Sequence, residues 1–199
     1  MSILSVTRRV DAHPARRRHI VAVIGSGEQA DPCCSEVGRL IATLGYDLLT
    51  GGGRGVMEAV SRAFYETSPR RGLVIGIIPA SVGGLEQLER RLDADVAYDS
   101  PAGYPNEWVE LPIYTHLPDS GRAGTLRSSR NHINVLSADA IAALPGRDGT
   151  ESEVWLALQY GVPIAAYGDH VSGPPNGIPR LRGIEELKQF LETTVDFQR

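Results

Sequence analysis

The chain is almost without lysine. Of its 20 basic residues, Lys188 is the one lysine and the rest are arginine. A Schiff-base enzyme needs a buried lysine. Lys188 falls in "GIEELKQFLETT", whose spacing reads as an amphipathic surface helix. This argues against pyridoxal-phosphate chemistry. A Walker phosphate loop is excluded, because it needs Gly-Lys followed by Ser or Thr. Cysteine is scarce too. Cys33 and Cys34 are adjacent and are the only two, so there is no disulfide framework, which fits a reducing cytoplasm. Cys34 lies near a helix start, where a thiol pKa can fall, but a small packed side chain is the better reading. The five histidines, at 13, 19, 116, 132 and 170, show no metal-ligand spacing with one another or with the cysteines. No G-x-S-x-G elbow is present. No run approaches the roughly 18 apolar residues of a membrane span, and the start has no apolar signal region. A cytoplasmic protein with no membrane partner is expected. The net charge of −4 supplies no global field for nucleic acid.

What is present suits one compact domain. The 199 residues are 42% hydrophobic and 22% charged, ordinary values for a globular protein with a real core. Residues 1–18 carry Arg8, Arg9, Arg16, Arg17 and Arg18. They read as a flexible, solvated basic tail. A nucleic-acid arm would want interleaved aromatics, which are lacking. Residues 19–199 form the domain.

Short apolar runs alternate with helical spacing from position 19 onward. "HIVAVIG" is a buried-strand pattern. Asp31 is placed to cap the next helix, with Pro32 at its first position and Gly45 at its end. "YDLLTGGG" is a second strand, "GVMEAVSRAFYE" a helix with Val56, Val60, Ala63 and Phe64 along one side, and "GLVIGIIP" a third strand. Beyond them "LEQLERRL" is a short helix and "EWVELPIYT" an extended piece. "SSRNHINVLS" is a helix, "DAIAALPG" a strand, "GTESEVWLALQYG" a helix and "VPIAAYG" a strand, with a loop rich in Pro and Gly over 171–180. Alternation of this kind implies right-handed crossovers and a parallel sheet. The fold class expected is α/β, a single-domain three-layer fold with a central, mostly parallel sheet.

Three glycine-rich stretches fall where strands end and helices begin. They are Gly25, Ser26 and Gly27; Gly51, Gly52, Gly53, Arg54 and Gly55; and "PGRDGT" with Gly146, Gly149 and Thr150. Ligands of open parallel sheets bind outside the carboxyl ends of the strands. The free N–H groups of a helix start favour an anion there. A phosphorylated ligand follows from three such loops on one edge; tight turns alone are the plainer alternative. "GSGEQA" imitates a dinucleotide fingerprint. Its helix starts too late, however, and no acid closes the second strand to hold a ribose.

Read together, "GGGRGVMEAVSRAF", "SSRNHINVLSADAIAALPGRDGTESE" and "LALQYGVPIAAY" resemble the Lonely Guy-like Rossmann superfamily, whose members often carry a lysine-decarboxylase label. The resemblance covers residues 19–168. The superfamily's first motif, a triple glycine and then Gly-x-Met, is met by Gly51, Gly52, Gly53, Gly55 and Met57. Its second, Pro-Gly-Gly-x-Gly-Thr-x-x-Glu, is met by Pro145, Gly146, Gly149, Thr150 and Glu153. Arg130 stands where an arginine precedes that proline by fifteen residues. In cytokinin-activating members, this arginine and the last glutamate serve cleavage of the N-glycosidic bond of nucleoside 5′-monophosphates. The resemblance therefore implies Arg130 and Glu153 as catalytic residues, release of ribose 5-phosphate, no required metal or redox cofactor, and a homodimer or homotetramer. A carboxylate suits an oxocarbenium-like sugar, and an arginine can clamp phosphate.

Three departures weaken the hydrolase expectation. Arg147 replaces the second glycine, Asn131 the lysine after the arginine, and Ser152 the first glutamate of a Glu-Glu pair. "GVMEAVSRAF" and "SSRN…SADAI" look closer to the branch with molybdenum-cofactor carrier proteins, which bind a phosphorylated pterin and need not catalyse. The alternative is thus a non-catalytic carrier of a nucleotide or molybdopterin-type ligand. Two plainer readings compete at the site. Thr150-x-x-Glu153 is itself a capping box, and Arg130 can be a surface ion pair. Arg147 has candidate partners in Asp148 and Glu151, or in a ligand. Trp155 and Leu156 are candidates for core or a subunit contact.

Overall fold

The computed structural model describes residues 17–81, 99–168 and 177–196. The helix expected at "LEQLERRL" and the tail as far as Arg16 lie outside them.

Of the seven strands, the five inner ones are short apolar runs buried on both sides, as parallel sheets favour, and the two at the sheet's edges are partly exposed. The seven are β1 (Ile20–Ile24), β2 (Asp47–Thr50), β3 (Val74–Ile78), β4 (Leu111–Tyr114), β5 (Ala140–Ala143), β6 (Ile164–Tyr167) and β7 (Arg180–Leu181). They form one sheet in the order β4-β3-β2-β1-β5-β6-β7, and every pairing is parallel. β1 lies at the centre, where Ala22 is in register with Leu49 on one side and with Ile141 on the other. From β1 the chain winds one way to β4. It then returns to β5 and winds the other way.

Helices cover both faces. α1 (Cys34–Thr43), α2 (Val56–Tyr65) and α5 (Ile184–Asp196) pack on the face that includes Val21, Val23, Leu48 and Phe64. α3 (Asn131–Ser137) and α4 (Asp148–Tyr160) cover the face of Ala22, Ile24, Leu49 and Ile141. Alternate residues of β1 thus point into opposite cores, the period of two expected of a strand. The result is the three-layer Rossmann-like arrangement the alternation predicts. Among the described residues, no helix is long and apolar enough to cross a membrane.

Four local details differ from the sequence reading. α1 starts at Cys34, not Pro32. Asp31 is engaged one turn earlier, its side chain accepting from Cys33 N–H at 2.9 Å and its carbonyl from Cys34 N–H at 3.0 Å. The stretch rich in Pro and Gly ends in β7, which pairs with β6 through Ala166 and Arg180. Ser128, Ser129 and Arg130 precede the helix, and α3 begins only at Asn131. Last, Arg17 and Arg18, expected in the basic tail, are exposed yet paired with the domain. Arg17 makes two hydrogen bonds to the buried Asp139 carboxylate, and Arg18 Nε donates to Asp47 at 2.9 Å.

Candidate functional site

The sheet reverses its winding between β1 and β5, and a cleft opens there outside the strand ends. The three glycine loops follow β2, β1 and β5, which are neighbours in the sheet. They are tied together by backbone. Ser26 N–H donates to Pro145 O at 3.0 Å, and Val56 N–H donates to Ser26 O at 2.8 Å. The second contact needs Gly55, which sits at φ 65° with any Cβ falling against Ser26 O. The cleft encloses about 460 Å³, within the range of small-molecule pockets.

Its floor is Arg130. This side chain is 5% exposed, and its Nε and Nη1 are buried without a hydrogen-bond partner. The surface-ion-pair reading of Arg130 is therefore wrong. Its guanidinium lies so close over Gly51 that a Cβ at 51 would overlap it. Beside it Glu153 is also buried, and its Oε1 accepts a 2.8 Å hydrogen bond from Asn134 Nδ2. Burial pushes the Glu153 carboxyl above the ordinary glutamate range; the Arg130 charge and the Asn134 hydrogen bond oppose this without cancelling it.

The capping box is not formed. α4 begins at Asp148 after Arg147, so Thr150 lies inside the first turn. Thr150 Oγ1 is buried with no partner, and Glu153 turns away to Asn134. Both side chains line the cleft.

Residues 18–181 match the model of the SLOG cluster4 family. The chain belongs to that family. It is 32% identical over 149 residues to an uncharacterized protein of Archaeoglobus fulgidus, across 73% of this chain and 78% of that one. Among solved structures it is similar to the molybdenum cofactor binding protein of the phototrophic bacterium Rippkaea orientalis. That match has 29% identity and a TM-score of 0.66, covering 90% of this chain and 98% of the other. The molybdenum cofactor carrier protein of Chlamydomonas reinhardtii shares the fold, at 24% identity and a TM-score of 0.65, over 90% and 99% of the two chains. So does the single-stranded DNA-binding DNA processing protein A of Helicobacter pylori, at 16% identity and a TM-score of 0.57, over 88% and 80%. The resemblance to Lonely Guy-like proteins near the molybdenum-cofactor carriers holds.

In this SLOG cluster4 chain the expected residues divide into two sets. Gly25, Ser26, Gly27, Gly51 and Met57 line the cleft from the first two loops. Asn131, Arg147, Gly149 and Thr150 line it from α3 and α4, together with Arg130 and Glu153. Gly52, Gly53, Arg54, Gly55 and Gly146 do not line it. Gly52 and Gly53 give their carbonyls to Asn106, Arg54 packs on Gly103, and Gly146 sits against Thr150. Two of the departures from the motif have structural work. Ser152 Oγ lies within hydrogen-bond reach of Gly121 O (2.8 Å) and Asp148 O (2.9 Å). Asn131 is buried against the turn at Gly124. Arg147 pairs with neither Asp148 nor Glu151. It is exposed and reaches Glu28 at 3.3 Å, while Asp148 takes Arg122 at 2.6 Å.

Three residues of the site carry no periodic or motif signal: Tyr104, Asn106 and Asn134. Tyr104 lines the cleft from the irregular segment "PAGYPNEW". Among the described residues, no group of three or more His, Cys, Asp or Glu side chains is placed to hold a metal. Cys34 is buried, and burial pushes its thiol up to about 11. The packed reading, not the activated one, describes it.

Proposed function

We propose that the cleft binds a phosphorylated, nucleotide-like small molecule and carries it intact, a molybdopterin-type ligand or a nucleotide being the class that fits. The observation that carries this reading is Arg130. A buried guanidinium with two unpaired donors is costly unless an anion completes it. Phosphate does so bidentately. The starts of α2 and α4 and the glycine loops add N–H donors and the positive helix pole. Gly25, Ser26, Gly27, Gly149 and Thr150 are the proposed phosphate cradle. The carriers among the structural neighbours support a pterin cargo. The exposed Trp155 and Leu158 on α4 suit the expected contact between subunits.

Nucleoside monophosphate hydrolysis is the second reading, favoured by Glu153 beside Arg130. It asks Glu153 to be an anion facing a developing sugar cation. Burial instead favours the neutral carboxyl, and the partner glutamate of the motif is Ser152. Incubation with AMP, GMP and CMP, followed by chromatography for free base, decides between them. Carriage predicts intact nucleotide at all times. Free base, lost in Glu153→Gln, establishes hydrolysis.

A further inference from the structure

The cleft has an apolar wall that the phosphate reading does not use. Tyr104 and Met57 both line it. They meet over Gly53, where a Cβ would stand 2.6 Å from Tyr104 Cζ, 2.7 Å from its Oη and 2.8 Å from Met57 Cε. The same methyl lies 3.5 Å from the Cβ position of Gly27. One thioether therefore touches two glycine loops and carries a tyrosine ring beside it. Gly53 must lack a side chain for this surface to form, whereas a Cβ at Gly27 would make only ordinary contact with the methyl.

The ring is held in place from its backbone. Asn106 is buried; its N–H donates to Gly52 O and its Nδ2 to Gly53 O, each at 2.8 Å. Ser100 Oγ donates to Tyr104 O at 3.1 Å, and Tyr104 N–H donates to Pro101 O at 3.1 Å. Arg54 packs on Gly103. The segment is clamped to the second glycine loop two residues after Tyr104 and steadied just before it. Yet Tyr104 itself stays half-buried, and its hydroxyl makes no hydrogen bond among the described residues. An aromatic ring fixed by its neighbours and left open on a cleft wall is preorganised for contact.

We propose that Tyr104, beside Met57 over Gly53, is the surface on which the flat heterocycle of the ligand lies, with its hydroxyl available to a ring substituent. The site then selects ring-bearing phosphate esters over plain sugar phosphates. The proposal rests on the phosphate-binding reading above and adds the second half of the ligand. Base–aromatic stacking tolerates any ring, because every base has a π-face. The Met57 thioether beside the tyrosine supplies a soft, polarizable neighbour.

Calorimetric titration with GMP and with ribose 5-phosphate tests it. The wild-type protein is expected to bind GMP at least tenfold more tightly than ribose 5-phosphate. Tyr104→Leu keeps bulk over Gly53 but loses the π-face. It is expected to weaken GMP roughly tenfold to a hundredfold and to leave ribose 5-phosphate within about twofold. Tyr104→Phe is expected to keep most of the GMP preference. Equal weakening of both esters by Tyr104→Leu would show a packing role and overturn the proposal. So would a wild-type protein with no preference between them, a result that needs no variant to fold and leaves phosphate binding standing. Binding of neither ester by the wild-type protein overturns the phosphate reading and this proposal with it.

Discussion

Asn134 Nδ2 donates to Glu153 Oε1 across 2.8 Å and joins α3 to α4 beneath the cleft. The bond fixes the direction of the buried Glu153 carboxyl in the cleft. It also explains why Glu153 does not return to cap its own helix. Replacing Asn134 by Leu removes the donor and leaves a buried carboxyl unpaired. The expected loss is about 1–3 kcal/mol of stability, read as a lower midpoint in urea. An unchanged midpoint would mean that the bond does not hold Glu153.

Glu153→Gln is expected to fold as well as the wild-type protein or better at neutral pH. The folded carboxyl titrates above its unfolded value, because burial outweighs the help of Arg130 and Asn134. Folding therefore favours the protonated form. Its contribution is fully present below the unfolded glutamate pKa and is lost as pH rises through the folded one. The stability gap in favour of Gln should open as pH climbs from the ordinary glutamate range, then level off. Melting curves across that range check the sign; a gap that opens toward acid would contradict it.

Thr150→Ala separates a cap from a ligand contact. A formed capping box would lose about 1 kcal/mol. With Oγ1 unpartnered, the expected change is below about 0.5 kcal/mol, while the affinity for phosphate esters falls. Denaturant unfolding and titration, run on the same sample, give the two numbers.

At the opposite end of the sheet, Asp139 behaves in the other sense. Burial alone would raise its carboxyl, but the Arg17 hydrogen bonds, the Ile20 N–H and the nearby charges hold it below the ordinary aspartate range. Its stabilisation is present above the unfolded pKa and is lost as pH falls through the folded one. Arg17→Ala should cost about 2 kcal/mol near neutrality. That is less than the 3–5 of a fully buried pair, because Arg17 is half-exposed. The difference from wild type should shrink in acid. Unfolding at several pH values measures it.

The sheet was legible because parallel strands buried on both faces are plain apolar runs, and "HIVAVIG" or "DAIAALPG" has no other economical reading. β7 was not, since two residues after a stretch rich in Pro and Gly have no period to detect. The phosphate loops were legible because glycine, strand end and helix start coincide. Arg130 and Glu153 were legible as a motif pair, but their burial was not. Only the tertiary fold brings Gly51 over the guanidinium and Asn134 to the carboxyl. Tyr104 was hidden for the same reason, as it reaches the cleft from an irregular segment that Asn106 pins to a distant loop.

The proposed ligand site depends above all on Arg130 as the anchor of a phosphate. Titration of GMP into the wild-type protein and into Arg130→Gln tests it most directly. Saturable binding to the wild-type protein is expected, with an affinity at least a hundredfold weaker in a folded Arg130→Gln. Equal affinities in the two proteins would contradict it.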